Sequence, residues 1–387
     1  MTASAELRAA GMRAIAPVWL WPWCAFLFLA PFEALFNVAD LATPFRLLGV
    51  GAAFLLALAC PGRIAATPTL AVAFLVMALA ISYFGSIDPA ATRSALVPIG
   101  MAWLTYLFAT AAGLDRGHFV ASARAWLWGG SLASALALAA FAAGRTDPDG
   151  RLVPFLGPHE GDPNFFVAGL IFPFAIGMLF IGSRARRLEG LAAVAPILAA
   201  AALAQSRGGL LALAITLAVL LACGKRWKTF IATCLLVPAL YLGFQAEVGR
   251  MDFKDLSGSR RTEIWPVGLD AGLSNWQAGT GMATFPRLTS SAGGLYWPRD
   301  AHSTYLQAFT EVGYPGLVGV LLVFGTHLGI RRRAPYSAPV LAGLAGTLVA
   351  GIFLHMLAFE ILWLGWIVAA QTAAYQSRPV PLPVRAS

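Results

Sequence analysis

Long apolar runs recur along almost the whole chain and limit the folds open to it. The chain has 387 residues, of which 59% are hydrophobic and 12% charged, a composition too apolar for a soluble domain of this size. Runs of about 16–22 apolar residues match helices that cross a hydrocarbon core roughly 30 Å thick. We therefore predict an all-α integral membrane protein with about twelve transmembrane helices. The predicted spans are 15–33, 46–60, 68–84, 94–113, 124–143, 164–182, 190–205, 208–223, 229–245, 304–330, 336–354 and 356–375.

The distribution of charge predicts how these spans are oriented. The formal net charge is +9. With the N-terminus placed in the cytoplasm, sixteen of the 27 basic residues fall in cytoplasmic segments, beside only three acidic residues. This is the positive-inside pattern of inner-membrane proteins, and it predicts that both termini are cytoplasmic. The basic residues are dispersed among short loops, so nucleic-acid binding is not indicated.

The first apolar run and the four cysteines are both compatible with this topology. The first apolar run follows Arg8 and Arg13, as in a signal peptide, but no small-residue cleavage site follows it, so we expect an uncleaved first span. The four cysteines lie in or at the ends of apolar runs, without the spacing of a metal site. We predict packing roles for them, and no metal or cofactor.

The spans divide the chain into four parts. We predict transmembrane helices 1–9 over residues 1–245, a periplasmic loop over 246–302, helices 10–12 over 303–375, and a cytoplasmic tail over 376–387. A loop as long as the second part is uncommon without a function.

The long loop contains a predicted amphipathic helix, "TEIWPVGLDAGLSNW". Its apolar residues are expected largely on one side, which would let the helix cover a site as a lid. They are Ile264, Trp265, Leu269, Leu273 and Trp276.

The polar motifs collect at the outer ends of spans six, eight and ten. These spans open with "DPN" at Asp162, "SRGG" at Ser206 and "HS" at His302. Helix N-termini present free N–H groups and the positive end of the helix dipole, so they suit phosphate. Three such ends predict a site for a phosphate-bearing ligand at the outer surface. Arginines from the outer loops would add positive charge, namely Arg207, Arg260 and Arg261.

Each of these residues also has a structural interpretation. Arg207 could extend to lipid headgroups, and Arg260 and Arg261 could be ordinary surface arginines. His302 can accept a proton from a hydroxyl near neutral pH, or it can be a hydrogen-bonded interfacial residue.

The sequence leaves the roles of Glu311, of two histidines and of one acidic loop open. Glu311 can hydrogen-bond within the bundle or support the site, and His327 and His355 are expected to be interfacial. The acidic outer loop 144–163 could bind a divalent ion or a sugar, although its spacing matches no strong metal motif. Its polar residues are Asp147, Asp149, His159 and Glu160.

Several of these motifs, in this order, resemble the O-antigen ligase and polymerase superfamily of bacterial envelope enzymes. The motifs are "GDPNFFVAGL", "AQSRGGLLAL", "GSRRTEIW", "GTGMATFP" and "AHSTYLQAFTEVGYPGL". They cover roughly residues 150–320, and the twelve-span topology extends the resemblance along the chain. The resemblance implies a GT-C type glycosyltransferase of the inner membrane with a periplasmic active site. Such an enzyme takes a glycan from undecaprenyl diphosphate, without a metal, a nucleotide sugar or ATP.

The resemblance also implies residue roles. Arg207 matches the arginine of the Ser-Arg-Gly motif, and Arg261 matches the loop arginine four residues before a tryptophan. His302 matches the histidine that opens the His-Asn-x-Tyr-Leu segment, with Ser303 here in place of the asparagine. These three are the predicted catalytic residues, with inversion of the anomeric carbon expected. Predicted substrate-binding residues are Arg260, Asn164, Ser303, Tyr305 and Gln307.

The acceptor divides the possible functions. A ligase transfers the glycan to lipid A–core, a polymerase to another lipid-linked repeat unit, and a third branch to protein hydroxyls. We favour the ligase because the arginine–arginine–histidine set matches it. The polymerase is the closest alternative, and the long C-terminal outer region usual in the protein-glycosylating branch is missing here. A transporter or flippase for a lipid-linked or anionic solute is the alternative of another class, but the polar motifs gather at one face rather than at the bilayer midplane.

Overall fold

A computed structural model describes residues 17–33, 42–147, 150–154, 162–224, 261–291, 300–329 and 337–376. Within these ranges the chain is α-helical and contains no β-strand. Its helices are α1 (Trp21–Leu29), α2 (Ala42–Ala59), α3 (Ala66–Ile81), α4 (Pro89–Ala111), α5 (Arg116–Ala142), α6 (Pro163–Gly169), α7 (Ile171–Gly182), α8 (Arg187–Leu203), α9 (Arg207–Cys223), α10 (Arg261–Ser274), α11 (Phe285–Ser291), α12 (Thr304–Leu328), α13 (Ser337–Phe353) and α14 (Glu360–Gln376).

These helices agree with the predicted all-α membrane architecture. A helix occurs in eleven of the twelve predicted apolar spans, and the ninth span, 229–245, lies outside the described residues. Five helical segments are long and apolar enough to cross a membrane: Ala42–Ala59, Pro89–Ala111, Arg116–Ala142, Pro163–Gly182 and Thr304–Leu328. The chain is therefore an all-α, multi-pass membrane protein. The number of spans and the periplasmic location of the long loop stay predictions.

Small residues let the helices of the bundle approach one another closely, as is common between membrane helices. At Gly346 of α13, an added β-carbon would lie 2.1 Å from Oγ1 of Thr216 on α9. At Gly129 of α5, it would lie 2.0 Å from the carbonyl oxygen of Phe28 on α1. The close pairing of α9 with α13 matters for function, because it brings the end of α13 to the beginning of α9.

Helix α12 is kinked at Gly313, in the middle of the predicted tenth span. Gly313 has φ 74° and ψ −165°, a conformation essentially restricted to glycine. Beyond the kink, the backbone N–H of Tyr314 donates to the carbonyl of Trp276 at 2.8 Å. A β-carbon at Gly313 would lie 2.4 Å from that same carbonyl oxygen. The kink therefore joins α12 to the segment that follows α10.

Candidate active site

The three predicted helix N-termini are all capped by a side chain. Asp162 caps α6 and accepts from the backbone N–H of Asn164 at 2.7 Å and from its side-chain amide at 2.9 Å. Ser206 caps α9 and accepts from the N–H of Gly209 at 3.1 Å. Ser303 caps α12 and accepts from the N–H of Leu306 at 3.4 Å. Ser303 is thus a helix cap, and Asn164 is held at its own helix end.

The first residue of α12 fastens this helix to the end of α13. The Thr304 hydroxyl donates to the carbonyl of Leu354 at 2.7 Å and accepts from the N–H of Met356 at 3.0 Å. All of these groups are buried. One side chain therefore satisfies two backbone groups just beyond α13, where free carbonyls would otherwise be left. This contact sets the position of the residues that follow α13.

Arg261 and Gly208, the neighbour of Arg207, both lie beside Phe353, the last residue of α13. The Arg261 guanidinium lies 5.3 Å from the centre of the Phe353 ring, and its Nη2 donates to the Phe353 carbonyl at 3.3 Å. On the α9 side, a β-carbon at Gly208 would lie 2.8 Å from the Phe353 β-carbon. Arg207, the neighbour of Gly208, is exposed. Two different helices thus bring Arg261 and the neighbour of Arg207 to the same phenylalanine, whereas Arg260 lies outside the described residues.

Trp265, four residues after Arg261, links α10 to the segment that contains His302. Its indole N–H donates to the carbonyl of Ala301 at 3.0 Å. Since Ala301 directly precedes His302, this bond ties α10, and Arg261 at its first turn, to the histidine segment. Two motifs that are far apart in the sequence therefore act as one local structure.

His302 is half-buried and has φ 47°, the left-handed conformation that histidine adopts more readily than most residues. Burial lowers the pKa of His302 below its usual value. The carboxylates of Asp300 and Asp162 oppose this shift, and the nearby Arg261 and His355 add to it. The imidazole is therefore neutral at pH 7 and able to accept a proton. The same electrostatic contacts place Asp162, Arg261 and His302 around one site.

Two of the predicted substrate-binding residues make contacts inside the protein. The Tyr305 hydroxyl donates to the carbonyl of Leu348 on α13 at 2.6 Å. The Gln307 side-chain amide donates to Glu311 at 3.1 Å, and Gln307 is 5% exposed. Both side chains therefore fix α12 in its surroundings, and a contact of either with substrate stays a prediction.

Glu311 supports the Gly-rich turn "GTGMATFP" from within α12. Its carboxylate accepts from the backbone N–H of Phe285 at 2.9 Å, in addition to the amide of Gln307. Its backbone carbonyl accepts from the N–H of Gly281 at 2.9 Å. Gly281 and Ala283 have φ of 98° and 60°, so the turn follows a path that needs this external support. Glu311 was predicted either to hydrogen-bond within the bundle or to support the site, and these contacts favour hydrogen bonding within the bundle.

Helix α10 forms within the predicted amphipathic segment, and its glycines make the closest contacts with neighbouring helices. Gly268 and Gly272 lie against α12 and α11, where a β-carbon at Gly272 would be 2.6 Å from the Phe309 ring. By contrast, Leu269, Leu273 and Trp276 are 50%, 53% and 51% exposed. These three side chains are therefore only about half covered by the described part of the chain, because the smallest residues make the closest helix contacts, and the lid role of this helix stays a prediction. Ile264 alone of the larger set is fully buried and Trp265 partly so.

The acidic outer loop is described only in part. Asp147 accepts from the backbone N–H of Arg151 at 2.7 Å and pairs with its guanidinium. Asp149, His159 and Glu160 lie outside the described residues. Asp147 is therefore engaged in a local turn, and a ligand role for this loop stays a prediction.

The family comparison agrees with these motifs. Residues 191–321 match a family model described as O-antigen ligase. This match supports the O-antigen ligase and polymerase superfamily that the motifs resemble. The matched residues include Arg207, Arg261 and His302. A comparison with curated proteins gave no match.

The matched family suggests a glycosyltransferase-like activity. One further residue lies at the site without a motif of its own. His355, expected to be only interfacial, lies in the same electrostatic cluster as His302, with its Nδ1 3.8 Å from the Asp300 carboxylate. No local motif marks His355, because only the fold brings it to Asp300 and His302.

A buried ionic group holds the other end of the segment that carries His355. The Arg46 guanidinium pairs with Glu360 at 3.2 Å and with Glu33 at 3.6 Å, and both carboxylates are almost fully buried. Arg46 also donates to the carbonyl of Ala358 at 3.2 Å, and the N–H of Glu360 donates to Glu33 at 2.9 Å. Residues 354–360 are thus fixed at one end by Thr304 and at the other by these three charged residues.

Proposed function

We propose that this chain is a periplasm-facing glycosyltransferase that moves a glycan from undecaprenyl diphosphate to lipid A–core, as an O-antigen ligase. The main support is that Arg261, the neighbour of Arg207 and the helix that follows His302 all contact the end of α13, at Phe353 and Leu354. Two guanidinium groups suit a diphosphate, and a neutral imidazole suits an acceptor hydroxyl. The same set fits the substrates of the superfamily.

In the proposed reaction, Arg207 and Arg261 hold the donor diphosphate. Arginine has five N–H donors, and in Arg261 one of them goes to the Phe353 carbonyl. The other donors on its Nη1 and Nη2 have no hydrogen-bond partner among the described residues, so they can stabilise the negative charge that grows on the diphosphate as its bond to the sugar breaks. The N-termini of α6, α9 and α12 add positive potential at the same place.

His302 takes the proton of the acceptor. The acceptor oxygen forms a bond to the anomeric carbon, the bond from that carbon to the diphosphate oxygen breaks, and the hydroxyl proton passes to His302. Undecaprenyl diphosphate leaves as the anion. This single displacement inverts the anomeric carbon, so a product that retains the donor configuration would overturn the scheme.

The test uses purified protein in nanodiscs with an undecaprenyl-diphosphate-linked glycan, in the presence of EDTA. Glycan that appears on lipid A only when lipid A–core is supplied would support the ligase. Lipid-linked glycan ladders formed without core would show the polymerase instead. No transfer in either reaction, beside an active control enzyme, would contradict both and direct attention to transport assays in vesicles.

A pair of histidine variants connects this activity to the site. We expect His302→Ala to abolish transfer and His118→Ala to leave it unchanged. His118 lies in the first turn of α5, where its ring contacts Trp19 and Asp115, and it is not part of the site. Normal transfer by folded His302→Ala protein would show that the role assigned to His302 is wrong.

A further inference from the structure

A second histidine lies against the carboxylate that neighbours His302. Asp300 precedes His302 by two residues, and its Oδ2 lies 3.8 Å from Nδ1 of His355. This nitrogen is buried and has no hydrogen bond within the described part of the chain. Buried polar atoms normally have a hydrogen-bond partner. An unpaired ring nitrogen that faces a carboxylate in a candidate active site therefore needs a functional explanation.

The position of His355 is strongly constrained. Its ring makes edge contacts with Phe165 and Phe359, at 5.4 and 6.0 Å between ring centres, and these two phenylalanines stack on each other at 4.1 Å. On either side of His355, the backbone groups of Leu354 and Met356 bond to Thr304. Since Thr304 is only two residues beyond His302, the two histidines are held on neighbouring segments with Asp300 between them.

We propose that His355 is a further residue of this site, which keeps His302 in its neutral, proton-accepting form by competing with it for the Asp300 carboxylate. His355 is a positioning residue, since it acts through Asp300 and His302. Two imidazoles that share one carboxylate titrate as a coupled group, so proton binding by one opposes proton binding by the other. The effect of this coupling on catalysis rests on the proposed function, but the coupling can be measured without any activity.

The surrounding charges fix the direction of each expected change. Four groups act on His302: the carboxylates of Asp300 and Asp162 raise its pKa, and Arg261 and His355 lower it, beside the larger effect of burial. In His355→Gln protein the Asp300 carboxylate interacts with His302 alone, so the pKa of His302 rises. In Asp300→Asn protein this carboxylate is lost, so the pKa of His302 falls. Opposite shifts distinguish electrostatic coupling from general damage to the site.

The measurement is an NMR titration of ¹³C-labelled histidines in nanodiscs. The chain has five histidines, and His302→Gln protein identifies the His302 signal. We expect its midpoint to move up by about half to one pH unit in His355→Gln and down by a similar amount in Asp300→Asn. His118→Gln is the matched control and should leave the His302 midpoint unchanged. His355→Asn provides a second variant if His355→Gln does not fold.

Glycosyl transfer provides the second measurement. Because His302 acts as a base only when neutral, the acidic limb of the pH–rate profile should move to higher pH in His355→Gln and to lower pH in Asp300→Asn. An unmoved His302 midpoint in His355→Gln, or shifts of the same sign in both variants, would overturn the proposal. Opposite NMR shifts in a protein without any transfer activity would instead leave the coupling intact and refute the proposed function.

Discussion

Arg261 offers the sharpest test of the proposed chemistry, because Phe353 holds its guanidinium in place while other N–H donors of the group have no partner among the described residues. Stacking on Phe353 and one hydrogen bond to the Phe353 carbonyl fix the guanidinium. Its Nε is buried without a hydrogen bond in the described residues, and burial lowers the pKa of the group. Even so, the guanidinium stays charged at neutral pH. The positive charge is thus oriented before substrate arrives, which is the condition for strong electrostatic stabilisation of a transition state.

The expected loss follows from the donors removed. Loss of one preorganised donor to a developing negative charge typically costs about 2.7–4 kcal/mol, or about 10²–10³ in kcat. We expect Arg261→Ala to lose this much. Arg261→Lys keeps the charge but not the planar fork or the stacking, so we expect a loss of about 10–100-fold. The fold should survive, because the lost hydrogen bond and ring contact contribute only about 2–4 kcal/mol together.

The assay measures initial rates of transfer from the lipid-linked donor, with thermal unfolding as a check on folding. Arg287 is the matched control. It lies on α11, is largely exposed, and forms an ion pair with Asp88 at a distance of 2.7 Å. This pair is not part of the site. Because exposed ion pairs contribute little, Arg287→Ala should keep its activity within about twofold. Folded Arg261→Ala protein that works within threefold of the natural chain would refute the assigned role of Arg261.

Three further predictions concern stability, measured as thermal unfolding in nanodiscs. Glu311→Ala removes the acceptor of two buried N–H groups, so we expect a loss of about 2–6 kcal/mol, and an unchanged melting temperature would show that the Gly-rich turn does not depend on this carboxylate. Arg46→Met leaves two buried carboxylates without their cation and should lower the free energy of unfolding by about 3–5 kcal/mol. Arg46→Lys keeps the charge and should lose less stability. Equal losses of stability in both variants would argue against a charge effect. Gly313→Ala should cost about 1–3 kcal/mol from backbone strain alone, with a further clash against the Trp276 carbonyl, whereas Gly325→Ala, with open space at its β-carbon, should be tolerated.

The sequence was sufficient where structure depends on local pattern. Apolar runs predicted the helices, and the polar residues at Asp162, Ser206 and His302 marked where α6, α9 and α12 begin, because capping needs only a side chain one to three residues from the free N–H group. The packing of α10 could not be predicted in this way. A helical pattern shows that two faces differ, but tertiary contacts decide which face packs, and at Gly268 and Gly272 close approach decides it.

Residues that act through long-range contacts were beyond the reach of the sequence. Glu33, Arg46 and Glu360 are each isolated polar residues near the ends of apolar runs, and more than 300 residues separate Arg46 from its partner Glu360. Nothing local distinguishes them from ordinary interfacial residues. Only the arrangement of α1, α2 and α14 brings two carboxylates to one guanidinium.

The segment 353–360 brings together motifs that lie far apart in the sequence. Each motif meets this segment or its neighbour: Gly208 and Arg261 at Phe353, Thr304 at its backbone, and Phe165 at His355. The contacts are made from different helices, so none of the motifs can form the site alone. A variant that loosens the segment without touching the three predicted catalytic residues, such as Thr304→Val, should therefore lower activity more than its loss of about 1–3 kcal/mol in stability explains. Activity that falls only in proportion to the folded fraction would show that the segment supports the fold and not the site.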